Sequence, residues 1–221
     1  HCSGYLKNDT NFGNYFGKMY QPRYLSGLAA GAMTESNKIG YVAAFPIPEV
    51  IRGINAFATG VKEVNPDATV EVVWTFTWFG PEAETQAANA LLETGVDVLA
   101  QHQDSPSTGI AAEAAGAKWI SYNTAYGQDA APGAFVTAPV WDWGPYYVDV
   151  VESIINDEFV AEAYWGGMET GLVSLYELTS DVPSETASLI SDRTEEIISG
   201  SFDPPIVEEE FIDNVIGTVN P

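Results

Sequence analysis

A polar turn at residues 101–107 concentrates the side chains of this chain that could carry chemistry. Gln101, His102, Gln103, Asp104 and two serines follow one another there, and they supply amides, an imidazole, a carboxylate and hydroxyls. The turn leaves an apolar run at residues 96–100, which is typical of a strand buried in a parallel sheet. Because ligands of open α/β sheets bind beyond the carboxyl ends of the strands, the pattern predicts a ligand-binding crevice at this turn.

Binding explains this turn better than catalysis or a metal site does. His102 and Asp104 could hold a metal ion or act as an acid–base pair, but the other histidine, His1, lies far away in the sequence. The sequence has neither a nucleophile elbow nor the glycine spacing of a phosphate-binding loop, and its single cysteine, Cys2, has no evident partner. We therefore expect no catalytic residue, no metal and no cofactor. An enzyme acting on nucleosides remains an alternative.

Aromatic residues follow other predicted strands at equivalent places. Their rings would line the same crevice and stack on a planar ligand, and a stacked base is worth roughly 1–3 kcal/mol. Polar residues near them could hydrogen-bond the edge of that ligand. The predicted rings are Phe45, Trp78 and Trp143, and the predicted polar partners are Asp104, Asn123 and Asp142. The competing explanation is that the tryptophans pack beneath loops and that the carboxylates are simply solvated.

Strands and helices alternate along most of the chain. Apolar runs predict strands at residues 38–45, 69–77, 96–100, 118–121 and 135–138, and helical spacing or small-residue content predicts helices at residues 21–33, 49–65, 82–94, 109–117 and 184–199. This alternation is typical of a doubly wound α/β domain with a parallel sheet. The residues proposed for the crevice all lie at or beyond the exits of these strands.

The charge balance excludes some partners. The chain has 31 acidic and 8 basic residues and a formal net charge of −23, so it would repel nucleic acid and anionic lipid head groups. The acids are spread along the chain, which argues against an acidic tail. Such self-repulsion is tolerable where molar salt reduces the screening length to roughly 3 Å, so we expect a halophilic protein. Handling of a cationic ligand is a weaker explanation of the same charge.

Six short motifs of the sequence are characteristic: NKIGYV at residues 37–42, FPIPEVIRGINAF at 45–57, VWTFTWF at 73–79, GVDV at 95–98, QHQD at 101–104 and WGPYY at 143–147. On these motifs the chain resembles, over about residues 1–175, the basic membrane protein (BMP) family of ABC-importer substrate-binding lipoproteins. The last three motifs point to the branch that resembles adenine- or purine-binding proteins.

This resemblance implies a type I periplasmic-binding fold, in which two α/β lobes close on the ligand. Residues 1–35 are expected to end the first lobe, whose earlier part lies outside this chain. Residues 36–165 are expected to form the complete second lobe, and residues 166–221 the crossover and a C-terminal segment that returns toward the first lobe. The N-terminal lipid anchor typical of the family is likewise expected outside this chain.

The function implied by the resemblance is extracytoplasmic capture of a purine-like molecule and its delivery to an ABC permease. Family members commonly have a lysine, which can hold a ribose hydroxyl, in the turn that matches residues 167–171. Glu169 stands there in this chain, which favours a free base such as adenine over a nucleoside. The alternative from another class is a surface structural or self-assembling protein built on the same fold.

Overall fold

Six parallel strands form the central sheet of the structure, a computed structural model that describes residues 1–219. The described residues form these six strands and four others that lie in two small sheets. In chain order the strands are β1 (Asn14–Gly17), β2 (Lys38–Ala43), β3 (Thr69–Trp74), β4 (Val98–His102), β5 (Lys118–Ile120), β6 (Phe135–Thr137), β7 (Pro139–Trp141), β8 (Ala163–Gly166), β9 (Val173–Leu175) and β10 (Val215–Ile216). The small sheets contain β1, β7, β8 and β9. The helices are α1 (Tyr20–Met33), α2 (Pro48–Val64), α3 (Pro81–Glu93), α4 (Ser107–Ala114), α5 (Gly127–Ala130), α6 (Gly144–Ile155) and α7 (Ser184–Ser199), with a 3₁₀ turn at Met168–Thr170.

The strand order of the central sheet is β10-β3-β2-β4-β5-β6. The chain runs outward from β2 to β3 on one side and then returns to start β4 on the other side. This places the topological switch point between β2 and β4, where Ala43 lies opposite His102 in the register. Ligands of doubly wound sheets bind beyond the carboxyl ends of the strands at such a point.

Helices cover both faces of the sheet because successive residues of the strands point to opposite sides. Ile39 and Tyr41 of β2 belong to the core beneath α1 and α2, whereas Val42 belongs to the core beneath α3 and α4. Helices α1 and α2 cross closely, because a Cβ at Gly27 would collide with the carbonyl oxygen of Phe57. The predicted doubly wound α/β fold with a parallel sheet is therefore confirmed.

Two small sheets accompany the central sheet. Strands β1 and β8 pair in parallel, and β7 pairs with β9 antiparallel. Val173 of β9 is buried in the core beneath α1. Helix α6 follows β7, and none of its residues is buried.

Two segments outside residues 36–165 pack against the central sheet. Helix α1, expected to end the first lobe, packs along α2 in the core of the central sheet. The C-terminal segment also returns to this sheet, because α7 packs on α1 and β10 pairs with the edge strand β3. Its apolar residues, such as Ile190 and Ile197, are buried in the same core.

The strand predicted for residues 69–77 ends earlier, at Trp74. The Thr75 hydroxyl donates to the carbonyl oxygen of Ala43 or Thr77, and Phe76 has a φ of 55°, so the backbone leaves the extended conformation there. Within the described range, none of the helices combines the length and the apolar character that a membrane crossing requires.

Candidate functional site

The polar turn at residues 101–107 begins within β4, whose last residues are Gln101 and His102, and side-chain hydrogen bonds hold its shape. Gln101 Nε2 donates to the carbonyl oxygens of Gln103 (2.9 Å) and Ser105 (2.8 Å), and Gln101 Oε1 accepts from Trp119 Nε1 at 3.0 Å. The Ser105 hydroxyl donates to Glu84 at 2.5 Å. Because these groups are buried and mutually satisfied, the turn presents a preorganised surface at the carboxyl edge of the sheet.

Asp104 and Asn123 meet across the exits of β4 and β5. Asn123 Nδ2 donates to Asp104 Oδ1 at 2.7 Å, and Asn123 Oδ1 accepts from Trp141 Nε1 at 3.0 Å. Asn123 has a φ of 68°, a left-handed conformation that asparagine tolerates better than most residues. Burial raises the pKa of Asp104 above its ordinary value, and the bond from Asn123 partly opposes that rise. The pair therefore offers a solvent-accessible carboxylate edge.

An aromatic rim lies next to this pair. The backbone N–H of Asp104 donates to the carbonyl oxygen of Trp78 at 3.0 Å, which fixes the two loops together. The Trp78 and Phe45 rings lie 5.2 Å apart between centroids, and Trp78 remains 42% exposed. Phe76 and Phe79 on the same loop are also exposed. Such exposed rings are available to stack on a planar ligand.

Two adjoining cavities open beside Asn123. One, of about 130 Å³, is lined by residues of the polar turn, including Asp104, and by Tyr122. The other, of about 700 Å³, is lined by Trp141 and Trp143. Asn123, Thr124 and Tyr126 line both, so the two cavities form one crevice.

Of the predicted site residues, five lie together at the carboxyl edge of the sheet. They are Phe45, Trp78, His102, Asp104 and Asn123. Trp143 joins them indirectly, since its ring stacks on Trp141 with centroids 4.7 Å apart and planes at 13°.

The remaining two predicted residues have other contacts. Asp142 Oδ1 accepts from the backbone N–H of Gly144 at 3.0 Å, a local turn bond just before α6. Glu169 pairs with Lys18 at 3.1 Å, beside the crossover between β8 and β9. The structure thus supplies the carboxylate of Glu169 with a cation from a different segment.

Sequence reasoning missed three residues that surround His102, which are Arg23, Glu49 and Tyr122. Arg23 of α1 is fully buried, and its guanidinium carbon lies 3.8 Å from the centroid of the Tyr122 ring. Glu49 of α2 has Oε2 at 3.4 Å from His102 Nε2. A signal for Arg23 was present, because it is the one charged residue in α1.

Burial controls ionisation in this cluster. Desolvation and the positive charge of Arg23 hold the pKa of His102 well below its ordinary value, so the imidazole is neutral. Desolvation raises the pKa of Glu49, and the charges of Arg23 and Arg52 partly oppose it. Among residues 1–219, no three His, Cys, Asp or Glu side chains are grouped so that they could hold a metal ion. The arrangement suits the binding of a small planar polar molecule.

Comparison with known proteins identifies the family. A family model described as ABC transporter substrate-binding protein PnrA-like, named Bmp, matches residues 1–205. The chain belongs to the Bmp family. The resemblance predicted from the sequence motifs is therefore confirmed.

Two curated relatives of this Bmp-family chain carry different ligand names. A protein of Haloferax volcanii, provisionally named an ABC transporter glucose-binding protein, is 45% identical over 92% of this chain and 51% of its own length. A purine-binding protein of Brucella abortus is 36% identical over 92% of this chain and 57% of its own length. This chain thus spans about half the length of these relatives.

Solved structures share the fold. An ABC transporter solute-binding protein from Conexibacter woesei has a TM-score of 0.73 and 24% identity, covering 90% of this chain and 67% of that one. A solute-binding protein from Aeropyrum pernix has a TM-score of 0.80 and 15% identity, covering 94% of this chain and 70% of that one. These similarities confirm a periplasmic-binding-protein-like fold for the Bmp-family chain.

Proposed function

We propose that this Bmp-family chain forms the ligand-binding part of an extracytoplasmic protein that captures a purine-like molecule and delivers it to an ABC permease. The observation that carries the proposal is the exposed Trp78 ring, packed on Phe45 and joined through its own carbonyl oxygen to Asp104. A purine has the two features that this site complements. Its flat face fits the ring, and its amine and ring nitrogens fit the Asp104–Asn123 edge.

The other predicted residues serve this proposal in different ways. We place Trp143 at the far wall of the crevice, because it stacks on the Trp141 ring whose N–H holds Asn123. His102 supports the floor beneath Trp78, with ring centroids 6.0 Å apart. Asp142 lies just before α6 and Glu169 in the turn between β8 and β9, so both would reach the ligand only from the side of the crevice that these segments form.

A first lobe would complete the site. Strands β1 and β8 form an isolated parallel pair, and the exposed side of α6 includes Val148, Val151 and Ile155. Two strands with one unburied helix are too small to be stable alone. We propose that residues 1–17 and 142–166 belong to a first lobe that further chain completes, while α1 and α7 belong to the second.

The proposed ligand is a free base and not a nucleoside. A nucleoside adds ribose hydroxyls, and each buried hydroxyl left unpaired costs roughly 1–3 kcal/mol. Lys18 Nζ lies 3.1 Å from Glu169 Oε1, so its charge is already balanced by a carboxylate and would have to be shared with a ribose hydroxyl. The site therefore favours adenine over adenosine.

Calorimetry on a protein with both lobes tests the ligand. Adenine should bind more tightly than adenosine, and glucose should bind weakly or not at all. Equal or tighter binding of adenosine would overturn the free-base assignment. Tight glucose binding without adenine binding would overturn the purine assignment and favour the sugar named for the Haloferax volcanii relative.

Two further measurements separate this proposal from the alternatives. Adenosine incubated with the protein should be recovered unchanged, because binding proteins release their ligands intact. Release of ribose or ammonia that His102→Ala abolishes would favour an enzyme.

Sedimentation should show no ligand-independent assembly, and large polymers at all salt concentrations would favour the surface structural alternative. Fractionation of the source cells would test the proposed extracytoplasmic location and lipid anchor.

A further inference from the structure

A buried polar cluster lies directly beneath the proposed crevice. His102 is 4% exposed and its ring is flanked by Tyr122, with centroids 4.6 Å apart, and by Trp78. Glu49 approaches it from α2 and Arg23 from α1. Burying the charges of Glu49 and Arg23 is costly unless complementary partners match them.

The two nitrogens of His102 have different neighbours. Nε2 lies 3.4 Å from Glu49 Oε2, so a proton on Nε2 faces an acceptor. Nδ1 has no hydrogen-bond partner among the described residues, and the same is true of Arg23 Nε. Both atoms border the space beside Gly53, at 3.9 and 3.8 Å from the position that a Cβ of residue 53 would take. A neutral imidazole with its proton on Nε2 has a lone pair on Nδ1, which the positive charge of Arg23 favours without a hydrogen bond between them.

We propose that Glu49 and Arg23 are positioning residues that hold His102 as its Nε2–H tautomer and so fix the Trp78 ring at the edge of the crevice. The inference rests on the proposed function in that Trp78 is the stacking platform. Arg23 is itself held, because its Nη1 donates to the carbonyl oxygen of Gln101 at 2.6 Å. Glu49 lies in the first turn of α2, close to Arg52, which partly balances its charge.

Glu49→Leu is the informative variant, because it removes the acceptor and retains an apolar side chain of comparable size. Glu49→Gln should rescue, since its amide oxygen can still accept from Nε2–H. Glu82→Leu is a matched control, because Glu82 also follows a proline in the first turn of a helix, α3, and is exposed. Each variant is first checked for an intact fold by circular dichroism.

Nitrogen-15 NMR of the histidine rings reads the tautomer without any ligand. The chain has two histidines, and a His102→Gln variant assigns the signals. We expect His102 to carry its proton on Nε2 in the parent protein, in Glu49→Gln and in Glu82→Leu, but to show a mixed tautomer in Glu49→Leu. The indole N–H signal of Trp78, assigned with Trp78→Phe, should shift in Glu49→Leu alone. An unchanged tautomer or an unchanged Trp78 signal in Glu49→Leu overturns the inference.

Adenine affinity, measured by calorimetry on the two-lobed protein, then tests the consequence. Glu49→Leu should weaken binding by about tenfold, as neighbouring residues that couple through a shared partner do, while Glu49→Gln and Glu82→Leu stay within about threefold. A shifted tautomer with undiminished affinity overturns the positioning role. If the parent protein binds no purine, the proposed function fails, whereas the tautomer and the Trp78 signal still decide whether Glu49 positions His102.

Discussion

Asn123 and Asp104 are joined by a 2.7 Å hydrogen bond from Nδ2 to Oδ1, which ties the exit of β5 to the exit of β4. The two residues are 19 positions apart in the sequence and meet because β4 and β5 are parallel neighbours in the sheet. The same amide holds the Trp141 indole through its oxygen. One side chain thus orders both the polar edge and the aromatic wall of the crevice.

Asn123→Ala should weaken both the site and the fold. The charged carboxylate of Asp104 would lose its donor, and a hydrogen bond to a charged group contributes roughly 1.5–3 kcal/mol when buried and less at this exposed position. Because the bond favours the ionised carboxylate, the loss in the free energy of unfolding should be larger at pH 7 than at about pH 4. Urea unfolding at the two pH values measures this. An equal loss at both would show that the carboxylate does not depend on Asn123, and Asn156→Ala at the end of α6 is a suitable control.

Trp78→Ala should reduce adenine affinity by roughly 1–3 kcal/mol and leave the melting temperature nearly unchanged, because we propose that the exposed ring stacks on the ligand and it contributes little to the core. Trp143→Ala should act in the same direction, since its ring lies on the wall of the crevice. Trp119 is fully buried, so Trp119→Ala should instead destabilise the fold by roughly 3–5 kcal/mol. Calorimetry and thermal unfolding of the three variants separate the two roles. A Trp78→Ala variant that unfolds as readily as Trp119→Ala would contradict the stacking platform.

His102 should make the folded state sensitive to acid. Its pKa is lowered in the folded protein by burial and by Arg23, so its stabilising contribution is complete above the ordinary value of 6.5 and is lost as the pH falls below it. The parent protein should therefore lose stability relative to His102→Gln between pH 7.5 and 5.5, with a slope approaching about 1.4 kcal/mol per pH unit. Chemical unfolding of both proteins across this range gives the slope. Parallel curves would mean that the imidazole takes up protons equally in the folded and unfolded states.

Salt should stabilise the protein. Of its 8 basic side chains, six already have a carboxylate within 4 Å, so most of the 31 acidic groups must be screened by solution ions. The screening length falls from roughly 10 Å at tenth-molar salt to roughly 3 Å at molar salt. We expect the melting temperature to rise across that range, in potassium chloride as well as sodium chloride. A melting temperature independent of salt would remove the basis for a halophilic protein.

Helix α1 and the end of β3 both depend on contacts that a local sequence pattern does not contain. Pro22 and the small residues of this segment were sufficient to predict α1 as a helix, but its packing along α2 depends on the crossing that Gly27 permits. The pattern of residues 69–77 predicted an unbroken strand, and the Thr75 hydroxyl bonds at the end of β3 terminate it. Neither fact is encoded in the spacing of apolar residues within one segment.

What the sequence by itself determined is the doubly wound parallel fold, the Bmp resemblance and the position of the polar turn at a strand exit. Apolar runs and helical spacing are local features, and neighbouring parallel strands necessarily bring their exits to one edge. Only the tertiary structure decided that Arg23 and Glu49 flank His102 and that Lys18 pairs with Glu169. These partners come from segments far apart in the chain, and a buried or paired charge is set by the neighbours that packing brings to it, which no local pattern records.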